Sequence, residues 1–216
     1  MLKPVRRGEP GGAVARAIGG GVLLLLGAVL IGLAIAAGWT DGLDRAGLSA
    51  LSNGPAGFWL IWTRLADSHV RIPVAILAVA LLVARRDRFA AAGLLVTVGG
   101  ALGLNALAKD LVARPRPTLF PHGDPVDGFS FPSGHSEGAA ALALGLALYL
   151  APPRWRGWAV AAALLFMTLV GLSRVALGVH WPSDVLAGWC EGAGFALIVR
   201  ATLSVITRWA RLRRAG

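Results

Sequence analysis

The sequence predicts an all-α polytopic membrane protein, with six transmembrane helices forming a bundle that carries an active site at its outer face. Three observations carry this expectation. The 216 residues are 56% hydrophobic and 15% charged, with a mean hydropathy of +0.67, which is more apolar sequence than a soluble core needs. Six apolar runs, near residues 17–38, 69–84, 89–108, 136–151, 157–173 and 185–207, approach the roughly 20 residues that cross a ~30 Å hydrocarbon layer as a helix. Charged residues cluster at the ends of these runs, where a membrane helix meets water.

The first run follows a basic N-terminal stretch and could pass for a signal peptide. It is too long and lacks a convincing cleavage site, so it reads as a retained membrane helix. Residues 39–68 hold Asp41, Asp44, Asn53-Gly54-Pro55 and the aromatic patch Phe58, Trp59 and Trp62. They suit an amphipathic segment in the interface, where tryptophan is favoured, and part of residues 43–68 could instead lengthen the second helix. The second and fourth runs are short for a span, so their ends must be extended, tilted or set where the bilayer is thin. The third ends at Lys109 and is stopped by Pro115 and Pro117. The fourth opens after Pro132-Ser133, the fifth closes on Ser173-Arg174, and Pro182 suits the first turn of the last. The alanine, leucine and glycine bias fits close helix packing in lipid. With no repeat and no disordered linker, one membrane domain over residues 1–216 is the simplest division.

The formal net charge of +10 would suggest nucleic acid in a soluble protein. In an apolar chain it fits basic loops that set topology, and no nucleic-acid partner is expected. With the N-terminus in the cytoplasm, Lys3, Arg6, Arg7, Arg16, Arg85, Arg86, Arg88, Arg154, Arg156, Arg200, Arg208, Arg211, Arg213 and Arg214 fall inside, fourteen of the twenty-one cations. The positive-inside rule thus favours both termini in the cytoplasm. The one cysteine, Cys190, excludes an intrachain disulfide and a cysteine-based metal cluster, and reads as a small apolar helix residue.

Three clusters interrupt the apolar pattern, and this topology puts all of them on the outer face. The first, Lys109-Asp-Leu-Val-Ala-Arg-Pro-Arg-Pro117, sets a compact lysine charge at a helix end and two arginine forks on a stiff extended segment. Both cation types match phosphate oxygens, although such residues alone equally snorkel or bind lipid headgroups. The second, Phe131-Pro-Ser-Gly-His135, opens a helix. The Ser133 hydroxyl and the free N–H groups of a helix start make an anion site, Gly134 allows close approach, and His135 can exchange a proton beside it. An ordinary serine cap with an interfacial histidine has the same local sequence. The third is Ser173-Arg174, then His180-Trp181-Pro-Ser and Asp184. Asp184 is close enough in sequence to accept a hydrogen bond from His180, which would fix its tautomer and leave the other ring nitrogen a nucleophile; a structural pair pinning a loop is the plainer reading. Cations and imidazoles gathered at one membrane depth weigh against the plain readings.

In order and spacing, Lys-x6-Arg-Pro, Pro-Ser-Gly-His and Ser-Arg-x5-His-x3-Asp match at all eleven positions the signature of the type 2 phosphatidic acid phosphatase (PAP2) superfamily, which this chain resembles over residues 109–184. The resemblance implies a six-helix membrane phosphatase acting on a lipid phosphate or a polyprenyl pyrophosphate. It implies His180 as the nucleophile that becomes phosphohistidine, Asp184 as its orienting carboxylate, and His135 as the acid and then the base. Lys109, Arg116, Arg174, Ser133 and Gly134 would bind the phosphoryl oxygens. No metal or cofactor is expected, since fixed cations stabilise the transferring group.

The resemblance also implies an integral protein of a bacterial inner membrane, its site facing the exterior and its partners the lipid substrate and membrane lipids. Arg114, Glu137, His69, His122, Asp124 and Asp127 keep no assigned role, with headgroup support the first expectation for Arg114. Phosphoryl transfer to an acceptor alcohol would use the same residues, and a non-catalytic lipid-phosphate carrier would need only the cations. A haloperoxidase is disfavoured by the membrane bundle. The identity of the lipid and the oligomeric state are not written in motifs.

Overall fold

The computed structural model describes residues 10–52 and 54–215. The cations Lys3, Arg6 and Arg7, together with Asn53 and Gly216, lie outside the described residues. Eight helices follow in order: α1 (Pro10–Ala36), α2 (Asp41–Leu51), α3 (Ala56–Leu65), α4 (Ser68–Ala84), α5 (Arg88–Val112), α6 (Gly134–Tyr149), α7 (Arg156–Ala176) and α8 (Pro182–Ala215). No strand occurs among the described residues.

Five helical stretches have the length and hydropathy of a membrane span: Gly11–Ala36, Ala56–Ala84, Arg88–Val112, Arg156–Ala176 and Pro182–Ala210. Six were expected. The fourth apolar run became α6, 16 residues long and shorter than a full crossing. Its surroundings explain why it can be short. It packs against α5, α7 and α8, and Gly138 through Leu142, Leu144, Gly145 and Ala147 are all buried. A helix wrapped in protein need not match the hydrocarbon thickness. Leucines on the outer helices, among them Leu23, Leu30, Leu77 and Leu165, are exposed to at least 62%, as residues facing lipid rather than water would be. The chain is an integral membrane protein.

The segment between the first two spans divides. α2 is a separate amphipathic helix that buries Asp44 and Leu48, and α3 continues into α4 as one candidate span with a break at Ala66–Asp67. At that break the Asp67 carbonyl accepts the Val70 and Arg71 N–H groups, starting α4. α5 stops where Ala113 turns left-handed (φ 46°) and donates its N–H to the Lys109 carbonyl; Pro115 and Pro117 forbid its resumption.

Small residues bring the helices close. Gly21 of α1 and Gly194 of α8 approach so tightly that a Cβ on either would sit 2.8 Å from the other's carbonyl oxygen. Gly188 of α8 packs under the start of α6, where a Cβ would lie 2.6 Å from the Ser133 carbonyl. The Ser133 N–H donates to the Asp184 carbonyl at 3.0 Å, so the starts of α6 and α8 are locked together. The end of α5, the start of α6, the end of α7 and the start of α8 thereby meet at one end of the bundle.

Candidate active site

α7 ends in a tight turn in which Gly178 takes a positive φ of 72°, a conformation glycine adopts without strain. The turn lets Val179 and His180 both donate their N–H groups to the Arg174 carbonyl at 3.2 Å. His180 is 2% exposed. Arg116 Nη1 donates to its Nε2 at 3.2 Å. A guanidinium can only donate, so Nε2 is the unprotonated nitrogen and the ring hydrogen resides on Nδ1. Nδ1 faces Asp184, whose Oδ2 is 3.6 Å away, with Ser130 Oγ between them at 3.4 Å from the ring. Ser130 in turn donates to Asp184 Oδ2, and Asp184 also accepts the Trp181 N–H at 2.9 Å. Burial first, then the cations Arg174 and Arg116, pull His180 down to about 3, against the opposing pull of Asp184. The imidazole is neutral at physiological pH.

The start of α6 supplies the second group. Ser133 is fully buried, and its Oγ accepts from the Ser136 N–H at 3.4 Å and the Ser136 hydroxyl at 2.9 Å. Its own hydrogen stays available to a ligand. A Cβ on Gly134 would press to 3.3 Å of Asn105 Oδ1, and the Gly134 carbonyl accepts from Arg71 at 3.0 Å. His135 Nε2 lies 2.9 Å from Asp67 Oδ1. Burial, then the charge of Arg174, lower His135 to about 4, while the Asp67 hydrogen bond pulls the other way.

The three signature cations converge on one loop. Lys109 Nζ donates to the Phe129 carbonyl at 2.7 Å, and Arg116 donates to the carbonyls of Gly128 at 3.1 Å and Asp127 at 2.8 Å. Arg174, 1% exposed, donates to Asp124 Oδ2 at 2.7 Å and to Thr63 Oγ1 at 3.1 Å. Burial first and the like charge of Arg174 second lower the Arg116 guanidinium from its ordinary value. The crowding of cations is therefore electrostatically costly, and an anion would relieve it.

Arg114 has a different position from its expected headgroup role. It is 8% exposed and bridges two carboxylates at 2.7 Å each, Asp184 through Nη1 and Asp44 through Nη2. Asp44 also takes the Ser183 N–H and hydroxyl at 2.9 and 2.7 Å. The amphipathic helix α2 is thus keyed into the start of α8. Glu137 is 1% exposed and lines a groove with Arg71 between α4 and α5, His122 bonds the Pro117 carbonyl at 2.7 Å, and His69 is exposed.

Sequence reasoning missed Asp67, Ser130, Thr63 and the carboxylate bridge to Arg114. Asp44 and Asp124 were noted without partners. Each is polar in an apolar or loop context, which is the signal that marks them, yet no local spacing ties them to a histidine or arginine. Chemically, the constellation offers a neutral imidazole nitrogen, a second imidazole, three cations and a helix start gathered at one end of the bundle.

The PAP2 superfamily model matches residues 90–208. The chain is 32% identical to an undecaprenyl-diphosphatase of Sulfolobus acidocaldarius over 66% of this chain and 68% of that protein. It is 33% identical to a decaprenylphosphoryl-5-phosphoribose phosphatase of Mycobacterium tuberculosis over 73% and 81% respectively. The solved transmembrane PAP2-type phosphatidylglycerolphosphate phosphatase of Bacillus subtilis superposes with a TM-score of 0.77 at 28% identity, covering 86% of this chain and 96% of that one.

Proposed function

The chain belongs to the PAP2 superfamily, and from that premise we propose that it hydrolyses the terminal phosphate of a lipid phosphate or polyprenyl pyrophosphate through a phosphohistidine at His180. The observation that carries the reading is the Arg116 hydrogen bond to His180 Nε2, because it leaves a lone pair on the nitrogen that faces the cations. Nε2 attacks phosphorus as the bond to the lipid oxygen breaks. His135 gives that oxygen a proton, then takes one from the water that attacks the N–P bond and releases inorganic phosphate. Asp184, through the Nδ1 side of the ring, stabilises the developing positive charge. Lys109, Arg116, Arg174, the Ser133 hydroxyl and the Gly134 N–H hold the equatorial oxygens, so the chemistry runs without a metal.

A lipid substrate is supported by an apolar groove of about 700 Å³ between α1, α5 and α8, lined by Leu107, Leu111, Phe131 and Trp181 and reaching Arg114. The relatives named above are phosphatases of lipid-linked substrates by their names. In this reading α6 completes a sixth crossing, both termini are cytoplasmic, and the site faces the exterior of a bacterial inner membrane.

The purified protein in detergent should release phosphate from such lipids in excess EDTA, and protein quenched in alkaline denaturant should carry an acid-labile, base-stable label from a phosphate-labelled substrate. His180→Ala should abolish both. Turnover that needs an added metal, or label that survives the substitution, would sink the mechanism.

A further inference from the structure

One carboxylate outside the signature bonds directly to a site imidazole. Asp67 stands at the break between α3 and α4, with Oδ1 2.9 Å from His135 Nε2 and Oδ2 3.3 Å from Arg64 Nη1. Its main-chain carbonyl starts α4, but its side chain makes no capping hydrogen bond. The helix start therefore fixes the position of a carboxylate whose oxygens are free for other partners. Each imidazole of the site then has a carboxylate beside it: Asp184 near His180 Nδ1 and Asp67 at His135 Nε2.

We propose that Asp67 is a positioning residue for His135, accepting the Nε2 hydrogen so that Nδ1 is the nitrogen that exchanges protons with the leaving oxygen and with water. The proposal rests on the phosphatase reading above. The acid form carries hydrogen on both nitrogens, and the Nδ1 hydrogen passes to the lipid oxygen as its bond to phosphorus breaks. The Nε2–H tautomer that remains takes a hydrogen back at Nδ1 when water attacks.

The need for such a partner follows from the surroundings. Arg174 on α7 and Arg71 on α4 both act against a positive charge on His135, and so does burial. Asp67 is the group that opposes them. An arriving phosphate dianion adds to its effect by neutralising the arginines, so the imidazolium forms when substrate is bound. Without the carboxylate the ring would lose its charge at lower pH and could present either nitrogen.

The test compares wild type with Asp67→Asn, which keeps an acceptor oxygen and removes the charge, and Asp67→Ala, which removes both. Two readouts are taken: the pH profile of kcat and KM on a lipid phosphate in detergent, and the 15N resonances of the His135 ring in the free protein, assigned by their loss in His135→Gln. The expected kcat falls are about 10-fold for the asparagine and about 100-fold for the alanine variant. KM should change little, the high-pH limb of kcat should move to lower pH, and the His135 ring in the alanine variant should leave the pure Nε2–H tautomer. An unchanged tautomer and limb, or a loss confined to KM, would overturn the proposal. Asparagine is a natural helix cap, so that variant decides the case if the alanine protein fails to fold. A wild type inactive on every lipid phosphate would instead refute the phosphatase reading, while the tautomer measurement, needing no turnover, still decides the role of Asp67.

Discussion

Burial holds His180 neutral, and this has a consequence for stability as well as for chemistry. In the unfolded chain a histidine titrates near 6.5, whereas in the folded protein burial lowers His180 to about 3 and His135 to about 4. As pH falls from 6.5, the unfolded state binds protons that the folded state refuses, so stability declines across the window between these values. The thermal midpoint in detergent should drop between pH 7.5 and pH 5, and the slope should be shallower in His180→Gln, which removes one titrating group. An identical slope in that variant would mean that His180 is not buried in its neutral form. At the same scale, Arg114 illustrates how a residue legible as a cation was not legible in role. Its sequence neighbours suggest a phosphate or headgroup contact, but both ends of its fork are taken by Asp44 and Asp184, whose positions depend on two distant helix starts.

Among the elements, α6 and α8 matter most to the site because their starts carry Ser133, His135 and Asp184. Their separation is set by Gly188 and Gly192, which lie against the main chain of α6 at Ser133, Glu137 and Ala141. Gly188→Leu should force the two helices apart, destabilise the protein by about 1–3 kcal/mol as overpacked cores do, and lower activity further than stability. The same leucine at Gly103, where an added Cβ meets nothing within 4 Å, should be tolerated. Thermal midpoints and initial rates of the two variants measure this, and equal behaviour would show that the α6–α8 contact is not what spaces the site. The helices themselves were readable from apolar runs. The shortness of α6 was readable too, but not its reason, because burial by three neighbours leaves no trace in a single run of sequence.

For the molecule as a whole, the end of α5, the start of α6, the end of α7 and the start of α8 share one face whichever way the bundle is inserted. In the topology proposed above, the bias of cations puts that face at the exterior. A cytoplasmic reporter fused at the C-terminus should be active and an export-dependent one silent; the reverse result would invert the topology and put phosphate release inside the cell. The two parts of the segment over residues 39–68 resolved differently from each other. α2 stays apart as an amphipathic helix, while α3 joins α4 in one long span. Hydropathy left both open, since a broken span and an interfacial helix have similar composition.

By itself the sequence determined the membrane class, the approximate spans and the eleven signature positions, because hydropathy and motif spacing are properties of neighbouring residues. Only the tertiary structure decided which group each of those residues meets. Asp67 reaches His135 across 68 positions, Asp124 reaches Arg174 across 50, and Asp44 reaches Ser183 across 139. Such pairs exist only when helices pack at a particular depth and rotation. A carboxylate at the end of an apolar run has no local mark that says which cation or imidazole that packing will bring to it.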